Sequence, residues 1–487
     1  MGCTGMTEMT LPNSVTSIGE SAFDGCSGLT ELTLPNSVTS IGWSAFEGCS
    51  GLTELTLPNS VTSIGDGAFH GCSGLTELIL PNSVTSIGES AFSGCSGLEK
   101  IAVESGNSCY DSRDNCNSII DTETNTLIAG CKNSVIPNSV RSIGDSAFEG
   151  CSGLIKLTLP SSVTSIGWNA FRGCTGLTEL ILPNSVTSIG LSAFWGCSGL
   201  TKITLPDSVT SIGDSAFGGC SGLTELTLPN SVTSIGDGAF SGCSGLTELI
   251  LPNSVTRIGE SAFSGCSGLE KIAVESGNSC YDSRDNCNSI IDTETNTLIV
   301  GCKNSVIPNS VTSIGWHAFQ GCTGLTELTL PNSVTSIGEY AFEGCSGLTE
   351  LTLPNSVTSI GDNAFEGCSG LTELTLPNSI TSIGWYAFGG CSGLTELTLP
   401  NSVTSIRNNA FGGCSGLVKI TSLAKIPPVC DPEVFDGVNK TNCELIVPEG
   451  SVAAYTRAEG WNEFSNIRGF SGVEVTVAGK TRKIVVE

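Results

Sequence analysis

Apolar residues return along this chain every 23 residues. The repeat that begins at residue 29 carries them at Leu29, Leu32, Leu34, Val38, Ile41, Ala45, Phe46 and Cys49. Fifteen segments of the form AFxGC mark its successive copies. A unit this short cannot bury its own apolar face and has to stack on its neighbours. The period therefore predicts one elongated solenoid, and it is too short and too regular for the strands of a β-sandwich.

Each repeat predicts a strand, a bend and a single helical turn. Leu32 and Leu34 alternate with polar residues, which is typical of a strand with one buried side. Pro35 ends that strand, and the chain up to Ile41 is expected to form a short extended arc. The three- and four-residue spacing in AFxGC indicates one helical turn, because the glycines around it exclude a long helix. We expect each phenylalanine to stack on the phenylalanine of the next repeat.

Two insertions interrupt the period. The segment from Ala102 to Ile128 returns almost verbatim from Ala273 to Ile299. In the first copy, residues 118–120 and 126–128 flank a polar loop, and this pattern predicts a β-hairpin. The chain therefore carries a larger duplication on top of the small repeat.

The chain accordingly divides into three parts. A solenoid is expected over residues 1–420, with longer, hairpin-bearing repeats at about 99–137 and 270–308. A C-terminal cap is expected over 421–470, and a strand-rich tail over 471–487 is interpreted as the start of a following module.

The cap and the tail have recognisable elements. The cap predicts a strand at 444–447 and a helix around 452–458, with Trp461 and Phe464 over the last repeat. The tail predicts a hairpin through residues 478–480.

The sequence opens in mid-repeat, since Cys3 stands where Cys26 stands in the next copy. Because a solenoid without a cap exposes an apolar end, we expect the N-terminal cap to be missing and the chain to be a piece of a longer, exported protein. The first residues have no basic segment followed by an apolar one, so we expect no signal peptide within this sequence.

The pattern L-x-x-L-x-L-P-x-x-V-x-x-I-G-x-x-A-F-x-x-C resembles the leucine-rich repeats of BspA-like surface proteins, and the match covers about residues 3–470. The combination of LPNSVTSIG with AFxGCSGL is highly specific. The resemblance implies an α/β repeat solenoid, curved, with a parallel β-sheet on its concave side and short helical turns on the other. It also implies a secreted or cell-surface location and roles in adhesion and protein binding.

Charge and composition exclude several partner classes. The formal net charge is −27 and the isoelectric point is near 4.3, and such a field repels nucleic-acid phosphates and anionic lipid. No run of 18 apolar residues that could span a bilayer occurs.

The sequence offers no catalytic constellation. The two histidines, His70 and His317, lie about ten repeats apart and cannot converge on one site. The glycines at 65–71 lack the strand, loop and long helix of a dinucleotide site. We therefore expect no enzyme activity, no cofactor and no metal.

The cysteines fall into two sets. Those of the AFxGC segments are expected to be buried thiols, because parallel side chains on stacked repeats do not reach disulfide geometry. No C-x-x-C pair occurs, which argues against structural zinc. Three off-ladder pairs are candidate disulfides: Cys109 with Cys116, Cys280 with Cys287, and Cys430 with Cys443.

The strand positions carry an acidic stripe on the predicted concave side. Its members are Glu31, Glu54, Glu77, Glu327, Glu350, Glu373 and Glu396. One interpretation is a solvated face that keeps the protein soluble; the alternative is attraction of a basic protein surface or weak calcium binding, although no EF-hand spacing is present.

Large aromatic residues occupy the positions that vary most between repeats. They are Trp43, Trp168, Trp195, Trp316, Tyr340, Trp385 and Tyr386. Exposed tryptophan and tyrosine are enriched at binding hot spots, so these are ligand-contact candidates. The alternative is that they pack over neighbouring repeats as lids.

The resulting functional hypothesis is an extracellular or cell-surface adhesin or scaffold that binds a protein ligand, such as an extracellular-matrix or cell-surface protein. The alternative is a passive spacer that presents another module.

Overall fold

The computed structural model describes residues 4–470, together with the backbone of 473–477 and 480–484. The chain forms two compact units. Unit 1 comprises residues 1–247 and 252–263, and unit 2 comprises residues 248–251 and 264–487. Each unit is a β-solenoid whose repeats pair through parallel strands in register.

Each repeat contributes a long strand of three to five residues. The long strands of unit 1 are Glu8–Thr10, Glu31–Thr33, Glu54–Thr56, Glu77–Leu80, Lys100–Val103, Lys156–Thr158, Glu179–Ile181, Lys202–Thr204 and Glu225–Thr227. Those of unit 2 are Glu248–Leu251, Lys271–Val274, Glu327–Thr329, Glu350–Thr352, Glu373–Thr375, Glu396–Leu399, Lys419–Ser422, Glu444–Pro448 and Asn466–Phe470. Within each strand the central apolar residue points into the core and its neighbours face outward, as the alternation predicts.

A second, short strand follows where the sequence indicates only an extended arc. In unit 1 the short strands are Ser17–Ile18, Ser40–Ile41, Ser63–Ile64, Ser86–Ile87, Ser142–Ile143, Ser165–Ile166, Ser188–Ile189, Ser211–Ile212, Ser234–Ile235 and Arg257–Ile258. In unit 2 they are Ser313–Ile314, Ser336–Ile337, Ser359–Ile360, Ser382–Ile383, Ser405–Ile406 and Val429–Cys430. The regular repeats therefore join two parallel ladders instead of one.

The predicted helical turns are not confirmed. The segment after Gly42 is a succession of tight turns, because its second residue, Ser44, has a φ of 49° that no right-handed helix accommodates. Within residues 4–470 the one α-helix is Val452–Tyr455, which is shorter than the predicted helix, and three 3₁₀ helices accompany it at Arg113–Asn115, Arg284–Asn286 and Glu449–Ser451. The fold is thus a parallel β-solenoid of the leucine-rich-repeat type and not an α/β alternation.

The predicted phenylalanine stack forms in both units. In unit 1, the rings from Phe23 to Phe92 and from Phe148 to Phe263 lie 5.1–5.6 Å apart between centroids and nearly parallel. In unit 2, the rings from Phe319 to Phe435 lie 5.0–5.8 Å apart. Full burial of such a side chain contributes roughly 1.5–3 kcal/mol, so the stack is a main source of stability.

Backbone hydrogen bonds join the turn segments of successive repeats. The N–H of Ser44 donates to the carbonyl of Asp66 at 2.9 Å, and the N–H of Phe46 donates to the carbonyl of Ala68 at 2.8 Å. The ladder cysteine adds a third link, since the Cys72 thiol donates to the Phe46 carbonyl at 3.2 Å. The ladder thiols are therefore hydrogen-bond donors as well as small apolar groups.

The insertions form the predicted hairpins. In the first, Ser118–Asp121 pairs antiparallel with Thr126–Gly130, and the added strand Tyr110–Asp111 pairs with its outer edge. In the second, Ile290–Asp292 pairs antiparallel with Thr297–Val300, and Tyr281–Asp282 pairs likewise.

The C-terminal segment extends the stack of unit 2. Phe435 stacks on Phe411 at 5.8 Å, and the buried Trp461 packs against Phe435 at 5.2 Å with Phe464 beside it. The tail strands Val473–Val477 and Lys480–Ile484 pair antiparallel. Residues 478–479 of the predicted hairpin loop and Cys3 lie outside the described residues.

Candidate functional site

The variable residues of each repeat lie on one edge, in the turn segment. We name three edge positions after the repeat of Phe46: the first is that of Trp43, the second that of Ser44 and the third that of Glu47. The second position is left-handed in the repeats of both units, with φ between 49° and 61° where its residue is not glycine. This backbone favours serine, asparagine and glycine, and a bulky residue there is strained.

Unit 2 concentrates aromatic rings on this edge. We call the group the aromatic edge, and its members are Trp316, His317, Tyr340, Trp385 and Tyr386. The two tryptophans are more than half exposed, at 55% and 54%, and Tyr340 is half-buried. The rings of His317 and Tyr340 stack at 4.9 Å.

Three members of the aromatic edge occupy the strained second position. His317, Tyr340 and Tyr386 have φ values of 54°, 56° and 52°. Backbone strain concentrates at functional sites, so the two tyrosines at this position are binding candidates, whereas histidine is common in a left-handed backbone. His317 is not among the ligand-contact candidates predicted from the sequence. Its position directly after Trp316 is the signal that could have identified it.

Carboxylates surround the aromatic edge. Glu343 accepts a hydrogen bond from Gln320, whose amide oxygen is 3.0 Å from the His317 ring nitrogen. Asp362 accepts the backbone N–H of Trp385 at 2.8 Å. Residues 304–406 contain no lysine or arginine, and their acidic residues are Glu327, Glu339, Glu343, Glu350, Asp362, Glu366, Glu373 and Glu396.

In unit 1 the predicted aromatic residues lie apart or pack on their neighbours. Trp43 and Trp168 are exposed at 58% and 64%. Trp195 lies against Gly218 of the next repeat, where a Cβ atom would come within 2.8 Å of its ring. Trp195 therefore acts partly as the lid that the alternative interpretation describes.

An arginine contacts the other side of Trp195. The Arg172 guanidinium lies 4.9 Å from the Trp195 ring centroid and 3.3 Å from the Glu149 carboxylate. These three residues occupy the third edge position of consecutive repeats. This edge thus shows how a carboxylate and an aromatic ring together hold a guanidinium.

The acidic stripe is a ladder of parallel neighbours on the long strands. Glu31 pairs in register with Glu54 in unit 1, and Glu327 with Glu350 in unit 2, while Glu373 pairs with Glu396. The ladder is interrupted by lysines that form exposed ion pairs, such as Lys100 with Glu77 at 2.5 Å. In the part of the chain that the structure describes, no group of three acidic, histidine or cysteine side chains is placed to hold a metal ion.

The off-ladder cysteines carry free thiols in the structure. Cys109 and Cys280 are half-buried, whereas Cys116, Cys287, Cys430 and Cys443 are buried. The three candidate disulfides remain predictions. Burial raises the pKa of Cys430 to about 12 and that of Cys443 to about 11, so neither thiol is activated for chemistry.

The two histidines lie in different units: His70 is in the turn segment of Phe69 in unit 1, and His317 is on the aromatic edge of unit 2. Among the residues that the structure describes, no helix has the length and apolar character needed to cross a membrane.

Comparison with known proteins identifies the repeat. The family model of the BspA type leucine rich repeat region, which holds six copies, matches residues 1–119, 126–221, 187–298 and 289–418. No curated protein sequence matches the chain.

Two solved structures of bacterial leucine-rich-repeat proteins are similar to this chain. A leucine rich cell surface protein of Faecalibacterium prausnitzii is 31% identical, with a TM-score of 0.51 over 76% of this chain and 85% of that one. A leucine-rich repeat protein of Bacteroides ovatus is 30% identical, with a TM-score of 0.36 over 82% of this chain and 80% of that one. Together with the repeat geometry, the family match shows that this chain belongs to the BspA-type leucine-rich-repeat proteins.

Proposed function

We propose that this chain is a secreted or cell-surface protein that binds another protein and performs no chemistry. The similarity to a leucine rich cell surface protein of F. prausnitzii supports the location. The aromatic edge of unit 2 supports the binding role, because tryptophan and tyrosine are the residues that most often dominate binding energy. Trp316 also lies against Gly338 of the next repeat and His317 stacks on Tyr340, but more than half of each tryptophan remains exposed.

We further propose that the partner presents basic residues. Residues 304–406 carry eight carboxylates and no lysine or arginine, so the field around the aromatic edge attracts cations. The observation that carries this proposal is the Glu149–Arg172–Trp195 cluster of unit 1. There the same edge holds an arginine of its own chain between a carboxylate and a ring. Residues 304–406 of unit 2 present rings and carboxylates without an arginine, and the next residue, Arg407, is paired with Asp431 at 3.7 Å.

The test compares two matched double variants. Trp316→Ala with Trp385→Ala removes two exposed rings from the aromatic edge, and Trp43→Ala with Trp168→Ala removes two exposed rings of unit 1 from the same edge position. Each protein is immobilised and exposed to extracellular-matrix and bacterial-surface extracts, and the captured proteins are identified and titrated.

We expect saturable capture of basic proteins that weakens at least tenfold in the unit 2 variant, weakens with salt, and stays unchanged in the unit 1 variant. Equal loss in both variants, or capture of acidic proteins, contradicts the aromatic edge as the contact. Absence of any saturable capture favours the passive spacer instead.

A further inference from the structure

Unit 1 contains a cleft where the first insertion interrupts the stack of turn segments. Its volume is about 350 Å³, and it lies between the turn segment of Phe92 and residues 126–147, which begin with the second strand of the hairpin. Ile87, Phe92, Ile128 and Ile143 supply apolar lining. This volume is at the lower end of the range of about 300–1,000 Å³ for ligand sites.

The cleft exists because the inserted repeat has no turn segment of its own. The hairpin strand continues to Gly130, whose N–H donates to the Ala147 carbonyl at 2.8 Å. The Phe148 ring lies against Gly130, where a Cβ atom would come within 2.1 Å of it. One alanine–phenylalanine layer is therefore missing between Phe92 and Phe148.

The missing layer leaves two backbone donors without acceptors. In the preceding repeats, the N–H groups of Ser44 and Phe46 donate to carbonyls of the next turn segment, at 2.9 and 2.8 Å. Within residues 4–470, the N–H groups of Ser90 and Phe92 make no such bond, although Gly94 still donates to the Glu149 carbonyl at 2.8 Å. Unpaired backbone donors in a cleft favour a ligand that brings carbonyl oxygens.

The ring of Phe92 is also left without a partner on its outer side. Phe69 stacks on its inner face at 5.6 Å, and Phe92 is 8% exposed where Phe69 is fully buried. An aromatic side chain in the cleft would continue the stack at this point.

The charge of the residues that line the cleft favours a ligand with a positive charge. The residues that line the cleft include the carboxylates of Glu89 and Asp145 and no lysine or arginine. Glu89 is exposed at the rim, and Asp145 already accepts the backbone N–H of Trp168 at 2.7 Å. The cleft is therefore complementary to a cation beside an aromatic group.

We propose that this cleft binds a short segment of a partner protein that replaces the missing turn segment. Two carbonyls of the segment, two residues apart, accept from the N–H groups of Ser90 and Phe92. An aromatic side chain stacks on Phe92, and a lysine or arginine lies near Glu89. The site is separate from the aromatic edge and does not depend on it.

The probe is the labelled tetrapeptide acetyl-Lys-Ser-Ala-Phe-amide, measured by fluorescence anisotropy against the full chain. We expect saturable binding. Replacing its phenylalanine with alanine should weaken binding at least tenfold, and replacing its lysine with glutamate should weaken it about threefold or more. Phenethylamine, which has the ring and the cation but no carbonyl, should compete at least tenfold more weakly.

The variants locate the site. Thr126→Phe fills the cleft and should weaken binding at least tenfold, while the control Thr158→Phe on an exposed strand position should leave it unchanged. Glu89→Lys alters only the rim charge and should reverse the preference between the lysine and glutamate peptides, which keeps the proposal testable if Thr126→Phe does not fold.

Several results would overturn the proposal. They are no saturable binding of the tetrapeptide, equal binding by Thr126→Phe in a folded protein, an unchanged peptide preference in Glu89→Lys, and competition by phenethylamine as strong as by the peptide. Loss of tetrapeptide binding in the Trp316→Ala, Trp385→Ala variant would also overturn it, since that variant tests the proposed function at a different site.

Discussion

The phenylalanine stack allows a prediction with a built-in control. Phe194 is fully buried between Phe171 at 5.2 Å and Phe217 at 5.1 Å, in the middle of unit 1. Phe23 stacks on Phe46 alone and is half-buried. Phe194→Ala and Phe23→Ala therefore make the same chemical change with two stacking partners and with one.

We expect Phe194→Ala to cost about 3–5 kcal/mol, the usual range for truncating a buried phenylalanine, and Phe23→Ala to cost about half of that. In a stack of repeats, this loss of stability affects mainly the mutated repeat and its nearest neighbours. At 1.4 kcal/mol per factor of ten, local opening around residue 194 should become on the order of 10²- to 10³-fold more frequent.

The assay is pulsed alkylation of Cys197, a fully buried thiol three residues after Phe194. Its tryptic peptide, residues 173–202, also contains Cys174, so the label is assigned to Cys197 by fragmentation of that peptide in the mass spectrometer. A local measurement is preferable to a single unfolding curve, since long repeat arrays do not unfold in one cooperative step. The labelling rate should rise on the order of 10²-fold or more in Phe194→Ala and stay unchanged in Phe23→Ala. Equal rates in the two variants would refute a core held together by neighbouring rings.

Three further predictions concern the ladders. Cys220→Ala should destabilise unit 1 about 1 kcal/mol more than Cys220→Ser in urea unfolding, because the thiol donates to the Phe194 carbonyl at 3.1 Å and a hydroxyl keeps that bond. Burial raises the pKa of Cys49 to about 11 and that of Cys95 to about 12, above the value of 9.0 for an unburied thiol. The urea concentration at the unfolding midpoint should therefore be constant up to about pH 9 and fall from pH 9 to 12, because only the unfolded chain ionises its thiols easily. A midpoint that rises over this pH range would contradict buried thiols. Glu350→Lys should stabilise unit 2 by about 0.5 kcal/mol at low salt and by nothing measurable at 1 M salt, because it interrupts a row of neighbouring glutamates. Equal effects at both salt concentrations would contradict charge repulsion along this row.

The sequence was sufficient for the core because the core is periodic. Leu32, Phe46 and Cys49 recur at a fixed interval, so one repeat predicts the contacts of all the others, and the stacked rings confirm it. The helical turn was not predictable in the same way. The spacing in AFxGC fits a helical turn as well as it fits a series of tight turns. Only the left-handed backbone at Ser44 excludes the helix.

The edge was less predictable, because its residues vary and no period indicates their contacts. The exposure of Trp316 and Trp385 followed from their position outside the apolar pattern. The contacts of the edge depend on which side chains lie next to each other in adjacent repeats. Examples are the stacking of His317 on Tyr340 and the contact of the Arg172 guanidinium with the Trp195 ring. The cleft beside Phe92 depends on the absence of a layer, and a sequence pattern shows residues rather than gaps.

The division between the core and the edge also limits how such a protein can change its ligand. A core residue such as Phe194 has to fit two neighbours at once, so a substitution there is felt on both sides. A first-position residue such as Trp385 is held through its backbone N–H by Asp362, and its side chain projects outward. The backbone bond does not depend on the side chain, so the ring can be exchanged at little cost to the fold. Recognition can therefore be altered one repeat at a time on the edge, whereas the cleft of unit 1 is tied to the insertion and changes only with it.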